Sequence, residues 1–151
     1  MRGNGFKGRG GDRPDALFTE EDTVVLVDND KRFVHITGMG YAIGHYARWV
    51  RRGAVRVDAK SSDPMVQITA FRDDAAKRLV LVVINNARQP QQLRITAQGL
   101  LPAGRITGEQ STAQAFWRAL PPAEVGQRDF MGLEVPGLSV TSLAVPVSIK
   151  P

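Results

Sequence analysis

Tyr41-Ala42-Ile43-Gly44-His45-Tyr46-Ala47-Arg48-Trp49-Val50-Arg51-Arg52-Gly53-Ala54-Val55-Arg56-Val57 decides the architecture of this 151-residue chain. An aromatic-rich helical segment runs into a glycine and then directly into a β-branched strand. Met39, Ile43, Tyr46 and Val50 recur at offsets of four, seven and eleven, which gathers them on one helical face. The spacing predicts a helix over residues 38–51. Thr37 is placed to cap its first turn, and Arg48, Arg51 and Arg52 stand at the C-terminal end, where the macrodipole favours cations. Gly53 is the expected residue that ends it. Gly38, Gly40 and Gly44 each cost on the order of 1 kcal/mol relative to alanine inside a helix. Such a helix needs a surface to pack against.

Downstream, short apolar segments separated by turns every 8–14 residues predict an antiparallel sandwich. Strands are expected at Ala54–Lys60, Met65–Arg72, Arg78–Asn85, Gln91–Thr96, Gly104–Thr112, Met131–Val135 and Ser139–Ile149. Asp73-Asp74-Ala75-Ala76-Lys77 connects the second of these to the third. Leu79-Val80-Leu81-Val82-Val83-Ile84 is continuously apolar, as a central strand buried on both faces would be. Gln92-Leu93-Arg94-Ile95-Thr96 alternates, so one of its faces meets water. Residues 113–130, with Pro121-Pro122, read as a long loop whose start near Trp117 is a short strand or a turn. Pro146 should confine the last strand to an edge or split it.

Upstream, Thr23-Val24-Val25-Leu26-Val27 and Arg32-Phe33-Val34-His35-Ile36-Thr37 flank the turn Asp28-Asn29-Asp30-Lys31 and predict a β-hairpin, with His35 facing solvent. Residues 1–19 form a Gly/Arg-rich leader too poor in apolar side chains to order itself. The fold class that results is all-β: an antiparallel β-sandwich preceded by a β-hairpin and one short α-helix. The expected division is a leader at 1–19, hairpin plus helix at 20–53, and the sandwich at 54–149.

The bulk properties narrow the function classes. The net charge is +5, of which residues 1–13 contribute +3, so basicity is a property of the leader. That leader holds one Gly8-Arg9-Gly10-Gly11 match without repeats, too little for an RNA tether, and nucleic acid is not an expected partner. No apolar run approaches the roughly 18 residues that cross a bilayer. The N-terminus lacks the apolar core of a secretory signal. There is no cysteine, hence no thiolate nucleophile or cysteine metal site. No cofactor and no metal are expected.

The order of motifs resembles the C-terminal part of glycoside hydrolase family 30, which groups glucosylceramidases, β-xylosidases, xylanases and related β-glycanases. That family carries an aromatic–Gly–His–aromatic–Ser–Lys/Arg–aromatic helix, then Pro-Gly-Ala and an Arg-containing strand. Tyr41, Gly44, His45, Tyr46, Arg48, Trp49, Gly53, Ala54 and Arg56 follow in matching order, with Ala47 in place of the usual serine and Arg52 in place of proline. Ile68-Thr69-Ala70-Phe71, the Leu79–Asn86 strand, Ser111-Thr112 and Ser139-Val140-Thr141-Ser142-Leu143 resemble later landmarks. The hairpin resembles the loop after the last barrel strand.

The resemblance implies a two-part retaining O-glycosyl hydrolase: a TIM-type barrel with two catalytic glutamates, and a β-sandwich packed on its side. Parents of this kind are commonly secreted or periplasmic. Both glutamates would belong to barrel strands preceding residue 20, so no catalytic residue is carried over and the chain alone should be inactive. The expected partner is the barrel, on the same parent chain or a separate polypeptide, with a polysaccharide as a further one. Residues 20–53 would be the remnant of the barrel's last unit. Tyr41, His45, Tyr46 and Trp49 are the expected barrel-interface residues, with an exposed apolar patch around the three aromatics. His45 takes a structural hydrogen-bonding role.

Other side chains carry weaker signals. Glu20, Glu21, Asp22, Asp28 and Asp30 read as turn formers and solubilising charges, with nothing nearby to raise one for acid duty. Ser111, Ser139 and Ser142 lack a nucleophile elbow. Arg48, Arg51, Arg52, Arg56 and Lys60 form a basic cluster expected to meet acids across a domain interface. Phe116 and Trp117, if extended, point to opposite faces, and an exposed one could stack on a sugar. A stand-alone carbohydrate-binding sandwich is therefore the alternative reading.

Overall fold

The computed structural model describes residues 23–102, 104–124 and 130–149. Glu20, Glu21, Asp22 and the expected leader lie outside the described residues. The chain divides into two compact units, the first ending at Gly44 and the second starting at His45.

In the first unit, β1 (Val25–Asp28) and β2 (Phe33–Ile36) form the expected hairpin, paired from Val25↔Ile36 to Asp28↔Phe33. Asp28 Oδ1 accepts the amides of Asp30 at 3.1 Å and Lys31 at 3.0 Å, so this acid is a turn former. His35 is half-buried and stacked on Phe33, with ring centroids 5.7 Å apart, rather than facing solvent. Helix α1 (Gly38–Trp49) starts here. Thr37 caps it as expected: its Oγ1 accepts the Gly40 amide at 3.1 Å and donates to the Thr23 carbonyl. Gly40 is required by close approach, because a Cβ there would lie 2.3 Å from the Val24 carbonyl oxygen.

The helix stops at Trp49, two residues earlier than its periodicity suggests, with a last bond from the Val50 amide to the Tyr46 carbonyl at 2.8 Å. Gly53 does not end it. It lies beyond, at φ 90°, in a turn closed by the Ala54 amide on the Arg51 carbonyl.

The second unit is a sandwich. All seven expected strands are present: β3 (Val55–Val57), β4 (Val66–Asp73), β5 (Arg78–Asn85), β6 (Gln91–Thr96), β8 (Arg105–Ser111), β11 (Phe130–Val135) and β12 (Ser139–Ile149). The short strand or turn expected near Trp117 is a strand, β9 (Arg118–Ala119), and two further short strands were not foreseen, β7 (Leu100–Pro102) and β10 (Ala123–Glu124). The large sheet has the order β10-β8-β12-β5-β4-β3, with β7 on β12 and β9 on β8, while β11 and β6 pair as a second sheet. Every pairing is antiparallel.

The register assigns each side chain to a face, since opposed residues share a side and neighbours alternate. Ala70, Leu81, Ile106 and Leu143 form one face and make the core with Leu79 and Val145, against which Ile95 of β6 and Leu133 of β11 pack. The opposite face carries Thr69 and Phe71 of β4, Val80 and Val82 of β5, Ser142 of β12, and Glu109 and Ser111 of β8. Val80 and Val82 are as fully buried as Val83, so β5 is covered on both faces as its apolar run requires.

Pro146 neither moves β12 to an edge nor breaks it, because β12 is central and continuous. The Val147 amide bonds the Lys77 carbonyl on the β5 side, so the Pro146 nitrogen points the other way. On that side pairing with β8 ends at Ala144 and pairing with β7 begins at Val147. The missing N–H falls in this gap and removes no ladder bond.

Candidate interaction site at the end of the helix

The second face of the large sheet is closed by the last turn and a half of α1. His45 is fully buried; its Nδ1 lies 2.8 Å from Ser142 Oγ and its Nε2 lies 2.8 Å from Ser111 Oγ. Neighbouring bonds assign the protons. Ser111 Oγ accepts the Trp117 amide at 2.9 Å, and Ser142 Oγ donates to the His45 carbonyl at 3.4 Å. A neutral imidazole has one donor and one acceptor. With the proton on Nδ1, Nδ1–H donates to Ser142, Ser142 donates to the carbonyl, Ser111 donates to Nε2, and every hydrogen has an acceptor. The other tautomer turns Ser142 onto Nδ1 and strands the Ser111 proton. Burial holds the imidazole below its usual pKa, with Glu109 pulling up and Arg48 pushing down.

One turn on, Glu109 receives the helix end. Arg48 donates from Nε to Oε2 at 3.0 Å and from a terminal nitrogen to Oε1 at 2.6 Å, a bidentate pair, and the Trp49 indole N–H donates to Oε2 at 3.2 Å. The Arg48 bonds, with help from the Trp49 indole, hold the Glu109 carboxyl below its ordinary range despite partial burial. The Arg48 guanidinium also lies 4.9 Å from the Trp117 ring centroid, a cation–π contact. Tyr46 completes the set: its hydroxyl is 3.2 Å from Thr69 Oγ1 and its ring meets Phe71 edge-on at 6.3 Å.

The structure thus brings His45, Tyr46 and Trp49 together on the sandwich, whereas Tyr41 is half-buried in the first unit, its amide on the Thr37 carbonyl at 3.0 Å. Arg48 meets its acid within the chain rather than across a domain interface. Arg51, Arg52 and Arg56 are exposed and make no ion pair with the described residues. Trp117 is not extended, having φ 48°, and both it and Phe116 are half-buried. Glu109, which organises the helix end, gave no signal in the sequence. It is one polar position in an alternating strand, 61 residues from Arg48.

The chemistry open to this arrangement is fastening. A serine within hydrogen-bond reach of an imidazole suggests nucleophilic catalysis. Here Ser142 and His45 are fully buried and Ser111 nearly so, the Ser142 proton is committed to a carbonyl, and Glu109 serves Arg48 and Trp49 rather than the imidazole.

A second polar lock holds the far end of the sandwich. Asn85, also buried, donates from Nδ2 toward the carbonyls of Gln89, Val135 and Pro136 at 3.1, 3.2 and 2.8 Å and accepts the Ala87 amide at 2.9 Å. Among the described residues no helix is long and apolar enough to cross a membrane.

A family model for the glycosyl hydrolase family 30 beta sandwich domain matches residues 53–143. No curated protein sequence matches the chain. Among solved structures the chain is similar to a family 30 endoxylanase from Clostridium papyrosolvens C71, at 20% identity and a TM-score of 0.66 over 74% of this chain and 28% of that one. It is similar also to a family 30 subfamily 8 xylanase from Clostridium acetobutylicum, at 16% identity and a TM-score of 0.72 over 86% of this chain and 32% of that one. A family 30 xylanase C from Talaromyces cellulolyticus aligns at 18% identity and a TM-score of 0.65, over 81% of this chain and 27% of that one. These likenesses are ones of fold, and the chain spans about a third or less of each xylanase.

Proposed function

Since this chain belongs to the glycosyl hydrolase family 30 beta sandwich domain family, we propose that it is a non-catalytic brace for a TIM-type glycosidase barrel. On this reading the retaining glycosidase chemistry belongs to two carboxylates of the barrel, and this chain supplies none of them. Residues 20–53 are then the barrel's last unit, followed by the sandwich at 54–149. On this reading Tyr41 faces the barrel, whereas Tyr46 and Trp49, expected at the same interface, are half-buried and with His45 fasten the helix end to the sandwich.

The observation that carries the reading is the apolar exposure of the hairpin. Val25, Val27 and Val34 share one face of β1 and β2 and are 44%, 61% and 64% exposed. Phe33, Met39 and Ile43 are exposed as well. A two-stranded hairpin is marginal by itself, and clustered exposed apolar side chains mark interaction surfaces. Joining this chain to a family 30 barrel stripped of its own sandwich tests the proposal. The fusion should be soluble and melt in one transition above the bare barrel. Two independent transitions, with the barrel no more stable than alone, would refute it.

The rival reading, a stand-alone carbohydrate-binding module, rests on Trp117. Arg48 already covers one face of that ring. Retention on immobilised xylan that vanishes with Trp117→Ala would favour the module over the brace.

A further inference from the structure

We propose that His45 is a proton-operated latch, in which uptake of one proton from solvent by its buried imidazole releases the end of α1 from the large sheet. The argument is a count of hydrogens. In the neutral state Nδ1–H, the two serine hydroxyls and the Trp117 amide each have an acceptor, and Nε2 is itself the acceptor for Ser111. An imidazolium places a hydrogen on Nε2 that points at the Ser111 proton. Ser111 would have to rotate and leave its own hydrogen unsatisfied in a buried site, where an unpaired polar group is costly.

The surroundings offer the new charge little help. From β12 the ring meets Ser142, and on the same face β5 presents Val82 and β4 presents Thr69. The charged groups acting on it are Glu109 of β8 and Arg48 of its own helix, already tied in a bidentate pair. The released helix end exposes an ordinary imidazole, which binds its proton near pH 6.5. The latched state binds it at lower pH, so between those values the latch weakens by up to about tenfold per pH unit of acidification. Above them it is closed. This is a property of the chain itself and stands whether or not a barrel is braced.

The test is an NMR titration of the wild-type chain that follows the His45 ring and the Trp49 indole N–H, which reports docking on Glu109. Trp117→Phe identifies the Trp49 signal. The expected result is one transition below pH 6.5 in which ring and indole change together, absent in His45→Gln. A ring that titrates without moving the indole would overturn the latch, as would the same transition in His45→Gln. If that variant fails to fold, Ser111→Asp decides. Its carboxylate can accept from both Nε2–H and the Trp117 amide, so the His45 midpoint should rise above 6.5 with the indole still docked. A midpoint that stays depressed would contradict the proposal.

Discussion

Glu109 and Asn85 each do locally what a longer stretch of apolar surface does elsewhere in the sandwich. Glu109 takes three hydrogen bonds from two helix side chains, and its carboxylate is favoured in the folded state, first through Arg48. A depressed carboxyl contributes stability that is present above its unfolded pKa of about 4.3 and is lost as pH falls through the folded value. Urea midpoints measured against pH should therefore drop below that point in the wild type and drop less steeply there in Glu109→Gln. An identical acid limb in both would remove Glu109 from the account. Asn85 binds carbonyls of the β5–β6 and β11–β12 connections at once. Asn85→Ala orphans buried groups at both and should cost about 1–3 kcal/mol in urea denaturation. Asn85→Asp should cost more, because it turns an acceptor toward three carbonyls.

At the scale of elements, β5 organises the sandwich, with the core on one side and the helix end on the other. Leu81 is nearly fully buried in that core, and Leu81→Ala should cost about 2–5 kcal/mol in chemical denaturation. Gly108 of β8 faces the same core, where a Cβ would lie 2.6 Å from the Ser142 carbonyl oxygen and 2.7 Å from Leu143 Cδ2. Gly108→Ala should cost about 1–3 kcal/mol by overpacking, read in the same experiment. The strands themselves were legible from the chain, since period-two alternation and the Leu79–Ile84 run are local signals. The Thr37 cap and the Asp28 turn were legible for the same reason. The partners were not. His45 meets Ser142 across 97 residues and Ser111 across 66, and no local pattern encodes such a pairing. Pro146 misled because a proline's cost depends on which neighbour its nitrogen faces, and that requires knowing where β8 gives way to β7.

At the scale of the molecule, two surfaces differ in character. The sandwich satisfies its polar side chains at the helix end, while the hairpin leaves a valine face open. Replacing Val27 and Val34 with serine should abolish binding of a hydrophobic dye and change stability by no more than about 0.5 kcal/mol per site. The same pair of changes should weaken docking to a barrel. The account's central claim is that this chain braces chemistry performed elsewhere, and a hydrolysis assay tests it most directly. The purified chain, incubated with xylan and with aryl β-glycosides, should release no more sugar than buffer does. Turnover that disappears on replacing one of its own carboxylates, Glu109→Gln or Asp28→Asn, would contradict it.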